Sequence, residues 1–91
     1  MNSEQRLAEI HTRLESALSP ETLQVEDEGH MHIGHEGSKD GRGRFRVLVV
    51  SAHFQGKTPI QRHRLIYQAM GDLMQTDIHA LAIDAYTPEE F

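Results

Sequence analysis

Two apolar strand-like segments separated by a helical one constrain this chain more than any other feature. Phe45-Arg-Val-Leu-Val-Val-Ser51 is β-branched and mostly apolar, the composition of a strand. Its second half is apolar without alternation, as in a strand flanked on both sides. Ile78-His-Ala-Leu-Ala-Ile-Asp-Ala85 reads as another strand. Between them, Thr58-Pro59 forms an N-cap followed by proline at the first helical position. Ile60, Ile66, Met70, Leu73 and Met74 then supply an apolar stripe to about residue 75, expected as a short first piece and a longer second one. A strand, a helical crossover and a strand in one sheet run parallel, with a right-handed connection. That requirement prunes the topology before any other residue is considered.

The segments before this unit complete the architecture. Leu7, Ile10, Leu14 and Leu18 recur at spacings of three and four, which predicts an amphipathic helix over residues 3–18. Ser3 is the expected N-cap, and Ser19-Pro20 ends the helix because a residue before proline avoids the α region. Leu23-Gln-Val-Glu-Asp27 alternates like a half-buried strand. Residues 28–43 lose periodicity and hold five glycines, so they are expected to be a long loop joining antiparallel strands. Thr87-Pro88-Glu89-Glu90 is expected to begin a final helical turn. The order α-β-β-α-(α)-β predicts an α+β fold: a three-stranded mixed sheet with helices on one face. A chain of 91 residues supports a single domain over residues 1–91 with one core.

Composition narrows the function. Cysteine is absent, which excludes a disulfide framework and a self-sufficient thiolate site. The longest apolar runs fall far short of the ~20 residues that span a bilayer, and the first residues lack an apolar signal region. No membrane partner is expected, and the chain reads as cytoplasmic. A net charge of −5 opposes non-specific nucleic-acid binding, although Arg42, Arg44, Arg46, Lys57, Arg62 and Arg64 concentrate positive charge in the middle third. Gly56-Lys57-Thr58 sits where a phosphate-binding loop would place it, but Ser51 occupies the position of the required first glycine. No serine has a nucleophile-elbow context, and Asp27 and Glu28 point to opposite faces of a strand. No catalytic residue is assigned, and the chain is expected not to be an enzyme.

The seven histidines carry what chemistry remains. His11 lies on the polar side of the first helix, His79 alternates with its neighbours on the last strand, and His53 stands in the turn before the crossover helix. His30, His32 and His35 crowd the glycine-rich loop, where imidazoles suit zinc, copper or nickel. His63 differs. It sits just inside a helix start, with Arg62 and Arg64 about 100° to either side, and a helix places a metal ligand or docking residue more rigidly than a loop does.

These residues together resemble the BolA family. The resemblance runs from about Leu7 to Phe91 through Leu-Ser-Pro-Glu-Thr-Leu23, Asp27-Glu-Gly-His-Met-His-Ile-Gly-His35, the strand ending at Ser51, Phe54-Gln-Gly-Lys-Thr-Pro-Ile-Gln-Arg-His-Arg-Leu-Ile-Tyr67 and Ile78-His-Ala-Leu-Ala-Ile83. It implies a class II KH-like fold and a partnership with a monothiol glutaredoxin, in which the pair holds a glutathione-ligated [2Fe-2S] cluster. By the resemblance, His63 supplies one ligand and the loop a second. The chain is similar to the histidine-type subgroup, since it has no cysteine for that role. The loop ligand matches His32 best, with His35 and His30 as alternatives, while Arg44 stands where many such members carry a further histidine. Imidazole in place of thiolate raises cluster potential, as in Rieske centres, and makes ligation sensitive to acid. Lys57, Arg62 and Arg64 are expected to dock the partner or a nucleic acid. The alternative implied by the family is a DNA-binding transcriptional regulator of stress response and cell morphology. Against it, the turn before the crossover helix lacks the glycine-x-x-glycine with which KH domains clamp nucleotides. A homodimer is left open.

Overall fold

The computed structural model describes residues 1–29 and 42–91. Helix α1 spans Ser3–Leu18 and is followed by strands β1 (Thr22–Asp27) and β2 (Gly43–Val50). A 3-10 turn at Ala52–Phe54 then leads into α2 (Pro59–Met70), the short α3 (Leu73–Thr76) and β3 (Ile78–Tyr86). The sheet order is β1-β2-β3. β2 pairs antiparallel with β1, from Thr22 opposite Val50 to Asp27 opposite Phe45, and parallel with β3, with Val47 opposite Ile83. The expected α+β fold and the central position of the second strand both hold. No helix among the described residues is long and apolar enough to cross a membrane.

Alternation along β2 decides which face is covered. Phe45, Val47 and Val49 are buried and point the same way, joined by the partly buried Leu23, Val25, Leu81, Ile83 and Ala85. Against them pack Ile10, Leu14 and Leu18 of α1, Ile66 and Met70 of α2, Leu73 of α3 and Phe54 of the 3-10 turn. Full burial of each such side chain contributes roughly 1.5–3 kcal/mol. The opposite face is polar: Arg46 bridges Glu28 at 3.1 Å and Asp84 at 3.0 Å.

Local chemistry ends each helix. The N-cap of α1 is Asn2 rather than the expected Ser3, because Asn2 and Gln5 exchange side chain–backbone hydrogen bonds of 2.9 and 2.8 Å in a capping box. Ser19 caps the other end in the left-handed region at φ 43°. The crossover helix divides differently from expectation, with twelve residues first and four second, because Gly71 at φ 57° turns the chain after Met70. Ile60, expected in the apolar stripe, is 64% exposed; at the first turn of α2 its side chain lies on the solvent side of the helix.

Arginines tie the helices together. Arg6 of α1 reaches Asp77 at 3.0 Å, just before β3. Arg13 donates to the Met70 carbonyl and, at 3.2 Å, to Asp72, closing the C-terminal end of α2 from α1.

Met70→Ala is expected to destabilise the fold by about 2–5 kcal/mol, since it opens a cavity in the core, whereas Ile60→Ala is expected to stay within about 0.5 kcal/mol. Urea titrations check this: the midpoint should fall for the first variant at unchanged slope and hold for the second.

Candidate functional site

The segment carrying His63 begins where β2 ends. Ser51, fully buried, donates its hydroxyl to the Leu18 carbonyl at 2.6 Å and accepts the His53 amide at 3.1 Å, which starts the 3-10 turn. Gly56 follows at φ 72°, a left-handed conformation that glycine adopts without strain. Thr58 and Gln61 form a second capping box, with hydrogen bonds of 2.9 and 3.2 Å, and Pro59 occupies the first helical turn. The helix start is thus over-determined by local chemistry, as Thr58-Pro59 predicted.

His63 lies one turn into α2 and is half-buried. Its imidazole has no hydrogen bond or ion pair with another described residue, so its nitrogen lone pair is not committed to the fold within that set. Successive helical residues turn by about 100°, which sends its two neighbours in different directions. Arg64 is exposed, and its guanidinium has no partner among the described residues. Ile60 and Tyr67 (41% exposed) lie three and four residues either side of His63 on the outer surface of α2.

Arg62, one of the expected docking residues, is engaged within the fold. Its side chain is only 13% exposed. Nε donates to the Lys57 carbonyl at 2.9 Å and Nη1 to the Ala85 carbonyl at 3.2 Å. The guanidinium also grips Glu90 through both carboxylate oxygens, at 2.6 and 3.2 Å, and lies 5.9 Å from the centre of the Phe54 ring. Of the three expected docking residues, Lys57 and Arg64 keep side chains without partners among the described residues, and Arg62 belongs to the fold.

The C-terminal turn was foreseen; its attachment was not. Glu90 accepts the Thr87 amide at 2.7 Å and donates its own amide to the Thr87 carbonyl at 3.1 Å. Thr87-Pro-Glu-Glu90 therefore repeats the capping spacing of Thr58-Pro-Ile-Gln61, which was the available signal. Nothing in the spacing indicated that Arg62 would join the two. Gln55 adds a second tie, donating to Glu89 at 3.0 Å.

The remaining histidines separate clearly. His11 is exposed beside Glu15 at 3.8 Å, His53 is exposed on the 3-10 turn, and Nδ1 of His79 lies 3.4 Å from Arg42. His30, His32 and His35 lie outside the described residues. Among the described residues no three acidic or imidazole side chains gather as a metal site. Among the described residues, His63 offers an imidazole without a partner on an ordered helix, and the chain has no thiolate.

Electrostatics mark the Arg62–Glu90 contact, a latch between α2 and the C-terminal turn. The bidentate Arg62 contact, and then the Thr87 amide, pull the Glu90 carboxyl down from 4.5 to about 2. A depressed carboxylate contributes stability that is complete above its ordinary range and is lost as pH falls through the folded value.

Comparison with known proteins adds an independent line. The family model described as BolA-like protein matches residues 14–90. BolA-like protein 1 of Pongo abelii is 46% identical over 84 residues, covering 92% of this chain, which spans 59% of that relative's length. The DNA-binding transcriptional regulator BolA of Vibrio cholerae is 42% identical over 82 residues, covering 90% of this chain and 74% of the relative. Among solved structures, the BolA domain of SufE1 from Arabidopsis thaliana superposes with a TM-score of 0.83 at 39% identity, covering 100% of this chain and 99% of that one.

The latch should be visible in acid. Glu90→Gln is expected to remove the part of the stability loss that the wild type shows between about pH 4.5 and pH 2; parallel acid titrations followed by hydrogen exchange at Thr87 and Arg62 check it.

Proposed function

Because this chain belongs to the BolA-like family, we propose that it is a non-enzymatic iron–sulfur adaptor that pairs with a monothiol glutaredoxin to hold a shared [2Fe-2S] cluster. The observation that carries this reading is the state of His63: half-buried, on a capped helix, with an imidazole that has no partner among the described residues, between an inward and an outward arginine. A ligand contributed to a centre shared across an interface needs this combination of fixed direction and open coordination. In this reading His63 supplies one nitrogen, and the loop supplies a second through His32, or through His35 or His30. The glutaredoxin cysteine and glutathione complete the set. When bound, the cluster supplies transferable iron and sulfide and one-electron redox chemistry. The chain's own contribution is to orient His63 and to offer Arg64, Lys57, Ile60 and Tyr67 around it as a docking surface of mixed charge and apolar character. Cluster trafficking or iron and redox regulation, in a reducing cytoplasmic setting, is the role this assignment supports.

A second reading, DNA-binding regulation of stress response and morphology, is favoured by the name of the Vibrio cholerae relative and by the exposed Arg64 near the start of α2. It works against a net charge of −5 and against the internal use of Arg62, which removes one cation from the surface. A gel-shift titration at two salt concentrations separates the readings. A sequence-preferring complex whose affinity falls steeply with salt supports DNA binding, and weak binding without preference argues against it.

Mixing the chain with a monothiol glutaredoxin, iron, sulfide and glutathione is expected to give a heterodimer with the visible absorption and circular dichroism of mixed cysteine/histidine ligation. His63→Ala should abolish or markedly shift that spectrum, and replacing His32 and His35 in turn should identify the loop ligand. A spectrum indifferent to His63→Ala would sink the adaptor reading.

A further inference from the structure

The geometry points to Arg62 and Glu90 as a pair of positioning residues that set how His63 is presented, so that the C-terminal turn is a working part of the site. This deepens the adaptor reading, and its meaning for a cluster rests on that reading; its structural content does not.

A core-facing stripe fixes the depth of a helix but resists rolling about its own axis less well. In α2 that stripe consists of the buried Ile66 and Met70 with the partly buried Leu65 and Ala69, all in the second half of the helix. The first half, which carries His63, is held by Arg62. Its guanidinium fork makes four contacts in three directions: back to the Lys57 carbonyl, across to Ala85 at the end of β3, and out to both oxygens of Glu90. Phe54, fully buried, floors the site with its ring 5.9 Å away. Planar, bidentate recognition of this kind fixes direction as well as distance.

His63 follows Arg62 by one residue, hence by about 100° of helical turn. With Arg62 pinned toward β3, the direction of the His63 imidazole is set. Glu90 is itself held, through the Thr87 amide at 2.7 Å, and the turn is tied a second time by Gln55 to Glu89. The Tyr86 and Phe91 rings, 5.8 Å apart, bracket the turn. Two capped turns, at Thr58 and Thr87, are thus joined through one arginine, and His63 stands beside the junction. The far end of α2 is held separately, by Arg13 at Met70 and Asp72, which provides a structural control.

The experiment uses the full chain without metal, so it is independent of whether a cluster forms. Nuclear magnetic resonance follows the His63 ring signals and hydrogen exchange of the amides of Thr58 and residues 60–64 in wild type, Glu90→Gln, Arg62→Lys and Arg13→Ala. Expected in Glu90→Gln and Arg62→Lys are displaced His63 ring signals and roughly tenfold faster exchange at Thr58 and residues 60–64, with exchange in β2 unchanged. Arg13→Ala is expected to lower the unfolding midpoint yet leave the His63 ring signals in place. Unmoved His63 signals in Glu90→Gln overturn the proposal, as does an equal displacement in Arg13→Ala. If Arg62→Lys fails to fold, Glu90→Gln still decides. In the glutaredoxin mixture, Glu90→Gln should alter the circular dichroism of the cluster; a wild type that forms no cluster refutes the adaptor reading and leaves the resonance result standing.

Discussion

Parallel pairing between β2 and β3 is the constraint on which the rest of this molecule depends. Parallel neighbours cannot be joined by a tight turn, so the chain between Val50 and Ile78 must leave the sheet, cross one face and return. The 3-10 turn, α2 and α3 are that crossing. Phe45, Val47 and Val49 select the face to be crossed, because they make that side of β2 apolar along its length, whereas Arg44 and Arg46 open the other side. Once α2 lies there, its first turn falls beside the end of β3. Arg62 can then reach the Ala85 carbonyl and the turn beyond it, and His63 comes to the edge between core and solvent.

Charge is used differently on the two sides of the sheet. On the outer face Arg46 joins Glu28 and Asp84 in an exposed ladder across the strands, where each pair contributes little because solvent screens it. On the helical side, Arg6, Arg13 and Arg62 each bridge elements distant in sequence, and each donates to its partners in fixed directions. The latter three act as geometry more than as energy: they place helix ends that apolar packing alone leaves free to shift. In the same way Arg62 can position the neighbouring candidate ligand from within the fold.

Much of this was legible in the chain. The apolar run from Phe45, the spacing of Leu7, Ile10, Leu14 and Leu18, and the Thr58-Pro59 start all led to elements at the expected places, because each signal is local: a period, a cap or a fixed φ. Three local expectations failed, each through a competing contact. Asn2 displaced Ser3 as cap because Gln5 was available to reciprocate. Gly71 split the crossover late because it adopts the left-handed turn that closes α2. Ile60 fell on the solvent side although its residue type suits a core. Residues 30–41, with three of the candidate ligands, lie outside the described structure, so the site is legible on its helical side.

By itself the sequence determined the order of elements, the sense of the β2–β3 connection, the helix start before His63 and the absence of any thiolate to serve as ligand. Each follows from short-range chemistry or from composition. Only the tertiary structure decided that Arg62 turns inward while Arg64 faces solvent, and that Glu90, 28 positions away, is its partner. A pattern of residue types cannot express that choice, because two arginines flanking one histidine are alike until β3 and the C-terminal turn stand on one side of the helix and water on the other.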